Sequence, residues 1–126
     1  MMQGHDIEID GKNIFTLEDF CEQIWPLLSK TAASGTTNLD ALNDILAWPT
    51  SPYTVIWRNS ELSKRYLGHA EMVKKVSALC QSCHPSNAGH FLERLHRAES
   101  GQGPTMFDWL VEIIQRNEPY VTLKLQ

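Results

Sequence analysis

Two groups of side chains in this 126-residue sequence have types and spacings that could do chemistry. Cys80-Gln81-Ser82-Cys83-His84 satisfies C-x-x-C-H, the pattern through which c-type haem is attached. Haem attachment needs export, and Met1 to Asp10 alternates charged and apolar residues without the apolar stretch of a secretory signal. Zinc suits the residues better, with thiolates from Cys80 and Cys83 and imidazoles from His90 and His96. The histidine pair is spaced at the outer limit of the usual range. The plainer alternative is that Cys80 packs in a helix face and Cys83-His84-Pro85 ends that helix. The second group is acidic. Asp40 and Asp44 are four apart in a segment whose other face is Leu39, Leu42, Ile45 and Leu46. On a helix the two carboxylates share a face with Asn43 and Ala47 and repel each other by a few tenths of a kcal/mol. Asp40, in the first turn, is helped by the helix dipole; Asp44, mid-helix, gains little from it. Such a face either meets a basic partner or is simply solvated.

Catalytic signatures are missing: there is no Gly-rich phosphate loop, no G-x-S-x-G elbow and no H-E-x-x-H. Cys83 and His84 are neighbours in sequence, which does not put the imidazole within reach as a base. The sequence therefore predicts neither an enzyme nor a cofactor.

The elements that must position these groups follow from periodicity. His5 to Ile9 alternates as a strand, with Asp10-Gly11 as a turn. Thr16 and Asp19 form a capping-box pattern opening a helix with Leu17, Phe20, Cys21, Ile24, Trp25 and Leu28 on one face; Pro26 predicts a kink or stop near Trp25. Ser29 to Thr37 reads as a loop. Asn38 is a suitable N-cap for a second helix running to about Trp48, ended by Pro49 and Pro52. Tyr53 to Trp57 reads as a buried strand, and Glu61 to Leu67 as a short helix stopped by Gly68. Met72, Val73, Val76, Leu79 and Cys80 mark a helix from about Ala70, and Phe91, Leu92 and Leu95 a shorter one. After the break at Ser100 to Pro104, Thr105 and Asp108 repeat the capping box before Phe107, Leu110, Val111 and Ile114. Val121, Leu123 and Leu125 alternate as a last strand. Long helical crossovers between strands imply parallel pairing, so the expected architecture is α/β: a single domain over residues 1–126 with a three-stranded parallel sheet covered by helices.

Composition sets the class of protein. No apolar run approaches the roughly 18 residues of a membrane span, and the odd count of 3 cysteines argues against a complete disulfide framework. These point to a soluble, reduced, cytoplasmic domain. The net charge of −4 hides a segregation: residues 1–56 hold eight acids and two bases, residues 57–98 seven bases and three acids. The acidic half suggests a basic partner by electrostatic steering.

The run Asn38-Leu39-Asp40-Ala41-Leu42-Asn43-Asp44, followed by Trp48, resembles the second-helix signature of the barstar family of ribonuclease inhibitors. Pro52-Tyr53-Thr54-Val55-Ile56-Trp57-Arg58, continuing through Glu61, Ser63 and Lys64, is a second match. Ile7-Glu8-Ile9-Asp10-Gly11 and Val121-Thr122-Leu123-Lys124-Leu125 fit the family's first and last strands. The resemblance covers residues 5 to about 67 and resumes near 106. It implies an inhibitor, the immunity partner of a bacterial ribonuclease toxin, that presses its second helix and preceding loop into the enzyme's active site. Acidic side chains there take the place of substrate phosphate, which a ribonuclease holds with Lys, Arg and His. By position, Asp44 matches the principal anchor and Asp40 its supporting acid. Asn43 stands where the family often has tryptophan, and Trp48 matches a helix-end aromatic. The preceding loop is Ser34-Gly35-Thr36-Thr37, without the family's aromatic. The family's further acid, late in the last helix, has Glu112 as its nearest counterpart, although a gap-free count reaches Ile113.

Residues 70 to 105 exceed what the family places before its last helix, and read as an insertion. Its Lys74, Lys75, Arg94 and Arg97 offer a basic surface without interleaved exposed aromatics; the i,i+4 pairs Glu71–Lys75 and Glu93–Arg97 fit solvated helix faces. The expected partner is a basic ribonuclease or related toxin, with no membrane and no direct nucleic acid. The competing reading is a metal- or nucleic-acid-binding regulator acting through the insertion.

Overall fold

The computed structural model describes residues 5–28, 39–47, 53–82, 84–118 and 120–126. The element order is β1 (His5–Asp10), α1 (Leu17–Leu28), α2 (Leu39–Ala47), β2 (Tyr53–Arg58), α3 (Ser60–Tyr66), α4 (His69–Ser82), α5 (Ala88–Glu99), α6 (Met106–Gln115) and β3 (Val121–Leu125). The three strands form a parallel sheet in the order β1-β2-β3, with Ile7 beside Val55 and Val55 beside Leu123. The α/β architecture expected from the crossovers is the one observed.

Alternation along the strands gives the sheet one apolar and one largely polar face, with Ile56 the buried exception on the second. Ile7, Ile9, Tyr53, Val55, Trp57 and Val121 are buried on the first, while Asp6, Glu8, Arg58, Thr122 and Lys124 are exposed on the second. Glu8 and Arg58 pair across the polar face at 2.7 Å, and the guanidinium holds the Glu8 carboxyl below its ordinary range. Trp57 centres the core, with ring centroids 5.1 Å from Phe20 and 5.0 Å from Phe107. Its indole N–H donates to Ser63 Oγ at 2.9 Å, so the one polar atom of that ring is satisfied.

Local chemistry sets the ends of the helices. Asp19 N–H donates to Thr16 Oγ1 and Thr16 N–H to Asp19 Oδ2, both at 3.2 Å, closing the capping box read from the sequence. The box at Thr105 and Asp108 forms in the same way. Pro26 does not stop α1, which runs on to Leu28. Its missing N–H costs the one ladder bond to the Glu22 carbonyl, and Leu27 and Leu28 continue the helix after it. Gly11 must be glycine, because a Cβ there would collide with the Asn59 carbonyl and Ser63 Oγ and lie 2.9 Å from the Arg58 carbonyl.

α4 and α5 lie on each other and form an outer helical layer. Met72, Val76 and Ala98 are its buried anchors, whereas Leu92, expected on an apolar face, is 45% exposed. The base of this hairpin is pinched. Phe107 N–H donates to the Leu67 carbonyl at 2.8 Å and Met106 N–H to the Gly68 carbonyl at 3.4 Å, so the chain leaves and rejoins the inner layer at one place. Glu71 ties α4 to α1 by accepting from Leu17 N–H at 3.1 Å. No helix among the described residues is long and apolar enough to cross a membrane.

Candidate functional site

α2 is held by its apolar side. Leu39, Leu42 and Leu46 are buried, and Ile45 and Ala41 are partly buried against the core. That burial fixes the helix's rotation and leaves Asp44 exposed on the other side. Among the described residues Asp44 has no hydrogen-bond or ion-pair partner. Asp40 occupies the second position of the same helix, one turn before it.

Beside Asp44 lies an open hollow of about 380 Å³ lined by Trp25, Ala41, Asp44 and Ile45. A carboxylate on the rim of an apolar hollow can take a cation while an uncharged part of the same partner enters the hollow. The sequence did not reveal this feature. Trp25 and Ile45 fall on apolar stripes, and periodicity does not separate a filled core position from one that walls an open depression.

Asn43 is half-buried and accepts from Asn117 Nδ2 at 3.3 Å, while the same amide donates to the Ile113 carbonyl at 2.9 Å. This bond links α2 to the end of α6, so Asn43 helps position the helix as well as standing on its acidic side. Ile113 is buried in the core, which removes it as a counterpart of a surface acid; Glu112, next in the chain, is exposed. Glu112 is not free like Asp44, since Arg116 lies 3.1 Å from it. Trp48, Asn38 and the loop residues Ser34, Gly35, Thr36 and Thr37 lie outside the described residues.

Three of the four zinc candidates, Cys80, His90 and His96, fall within the described residues. Cys80 is partly buried against the core in α4; His90 and His96 are exposed on α5, with the His90 ring edge-on to Phe91 at 5.5 Å; Cys83 lies outside the described residues. Among the described residues no group of three or more His, Cys, Asp or Glu stands together as a metal requires. The basic residues of the hairpin are partly engaged within the fold. Lys74 lies 3.5 Å from Glu18 and 3.9 Å from Glu71, and the Arg94 guanidinium stacks 4.8 Å from the Trp109 ring centroid.

A three-stranded parallel sheet packed with helices, and a second helix presenting a carboxylate that no described residue neutralises, define an α/β protein of barstar-like fold. The sequence model of the family described as Barstar (barnase inhibitor) matches residues 4–93, and the chain belongs to that family. The matched range extends past α4, farther than the motifs alone, and ends within α5. No curated protein matches the chain.

Proposed function

We propose that this protein inhibits a basic ribonuclease by stoichiometric occlusion, as the cytoplasmic immunity partner of a bacterial ribonuclease toxin, and has no catalytic role of its own. Asp44 is the anchor, entering the site where the enzyme holds substrate phosphate. Asp40, Asn43, Trp48 and the loop Ser34-Gly35-Thr36-Thr37 surround it, and Glu112 contributes from the margin. Residues 1–126 act as one domain, with the segment from about 70 to 105 as an appended hairpin. The observation that carries this reading is the exposed Asp44 carboxylate, without a cation among the described residues, on the second helix of a Barstar-family chain. Glu8 is neutralised within its own fold by Arg58; Asp44 shares its exposed state with other helical acids, and its place on the second helix of a Barstar-family chain is what suits it to a cation supplied from outside.

The test is a pull-down with the tagged protein, followed by inhibition titrations against the nuclease recovered. Wild type is expected to titrate a small basic nuclease one to one, and Asp44→Ala to weaken binding well over tenfold with its melting temperature unchanged. Equal affinity of wild type and variant would overturn the site assignment. Capture of no nuclease, together with stoichiometric zinc lost on Cys80→Ser and Cys83→Ser, would move the function to the hairpin.

A further inference from the structure

The two edges of the sheet are finished differently. Tyr53 N–H donates to the Tyr120 carbonyl and Gln126 N–H to the Trp57 carbonyl, which fixes the alternation along β3: residues 122 and 124 bond inward to β2, and residues 121, 123 and 125 turn their backbone groups outward. Val121 N–H is taken up by the Asn117 carbonyl at 3.1 Å. Among the described residues nothing accepts from the N–H groups of Leu123 and Leu125 or donates to their carbonyls. Exposed apolar side chains stand at both ends of this edge, Tyr120 at 61% and Leu125 at 46%. β1 is finished otherwise. The Gln23 side chain accepts from Asp10 N–H at 2.8 Å and donates to the Asp10 carbonyl at 3.0 Å, closing the outward groups at that end. Asp6 and Glu8 charge the rest of the strand. Edge strands are normally protected by such caps and charges; among the described residues β1 carries a two-sided cap and two acids, where β3 carries one cap, at Val121, and the single charge of Lys124.

We propose that the open edge of β3 pairs with β3 of a second copy of this chain, antiparallel about a two-fold axis through Leu123, making a continuous six-stranded sheet. In that register each Leu123 exchanges both backbone bonds with its mate, and each Leu125 N–H donates to the partner's Val121 carbonyl. Charge selects this edge over the other. Pairing β3 with itself sets Lys124 opposite the partner's Thr122, with no like charges facing. Pairing β1 in the same way about Glu8 sets the two Glu8 carboxylates opposite each other, which is destabilising. The apolar face gains at Leu125, 46% exposed in the single chain, which the partner's β3 partly covers. A two-fold interface of this kind closes on itself and leaves no further open β3 edge for growth.

The pairing is tested by light scattering and sedimentation of the full chain over a concentration series. The wild type is expected to be a dimer that dissociates on dilution. Thr122→Lys puts two lysines opposite each other at two places and is expected to weaken the dimer roughly tenfold or more. Adding Lys124→Glu to that variant restores opposite charges and is expected to recover the dimer. Leu123→Pro removes only an outward N–H and is expected to abolish it; circular dichroism and thermal melting check that each variant keeps its fold. A wild type that stays monomeric at its highest soluble concentration would overturn the proposal. So would a dimer indifferent to Thr122→Lys, or one that the charge reversal does not recover.

Discussion

α2 and the α4–α5 hairpin are both amphipathic helical segments anchored by a few buried apolar residues, yet they use their charges in opposite ways. On α2 the acid at Asp44 is left without a cation among the described residues. On the hairpin two of the bases are answered within the protein, Lys74 by Glu18 and Glu71 and Arg94 by the Trp109 ring, while Arg97 is exposed. Exposed ion pairs contribute little, but they show where surface charge serves packing. The difference teaches that net charge by region, acidic for residues 1–56 and basic for 57–98, does not by itself locate a binding face. The proposed face rests instead on one charge left unanswered among the described residues, Asp44, together with its place on α2.

The largest expected effect strikes both regions together. α6 is the wall against which α2 and α4 each pack, and Leu110 is fully buried in it. Leu110→Ala is expected to cost about 3 kcal/mol in urea unfolding and to lower partner affinity, because α2 loses its support. Met72→Ala separates the regions. Met72 anchors the hairpin and is 3% exposed, so about 2 kcal/mol is expected to be lost, with binding at α2 kept within a few-fold. If the two variants weaken binding equally, the hairpin belongs to the binding face and the contrast fails.

Much of this architecture was legible in the sequence because several local signals agreed. The Thr16–Asp19 and Thr105–Asp108 boxes, the alternation of both outer strands and the leucine stripe of α2 are short-range patterns whose physics lies within a few residues. Pro26 signalled a kink or stop near Trp25, and the helix ends three residues later: proline removes only its own N–H bond, so Leu27 and Leu28 can still bond back to the preceding turn. The free state of Asp44, the Asn43–Asn117 bond and the stacking of Arg94 on Trp109 were not legible. Each joins or separates residues from distant parts of the chain, and no periodicity encodes such contacts.

Alkaline pH probes the ground beneath the two regions. Burial pushes the Cys21 thiol of α1 and the Tyr53 phenol of β2 each up to about 12. The folded state therefore holds these protons more tightly than the unfolded chain, whose groups ionise near 9.0 and 10.0. Their contribution to stability is complete below pH 9.0 and is lost as pH rises through about 12. Urea unfolding at a series of alkaline pH values is expected to show this decline, and Tyr53→Phe to remove the part that begins near 10.0. Lys75 of α4 opposes the rise at Cys21, so Lys75→Ala is expected to push that thiol higher still and leave Tyr53 unmoved.

The smallest effects decide the comparison most directly, because they isolate one charge on each side. Arg94→Ala removes a cation stacked on a half-buried indole and is expected to cost about 0.5–1 kcal/mol of stability, with no change in partner affinity. Asp44→Ala should do the reverse, leaving unfolding within about 0.5 kcal/mol of wild type while affinity collapses. The reasoning turns on where each charge finds its counter-group. A cation answered inside the fold contributes to folding whether or not a partner is present; a carboxylate with no internal answer contributes nothing until one arrives. Should Asp44→Ala destabilise the free protein by more than about 1 kcal/mol, well beyond what an unpaired surface side chain contributes, the carboxylate has a structural role and α2 is no different in kind from the hairpin.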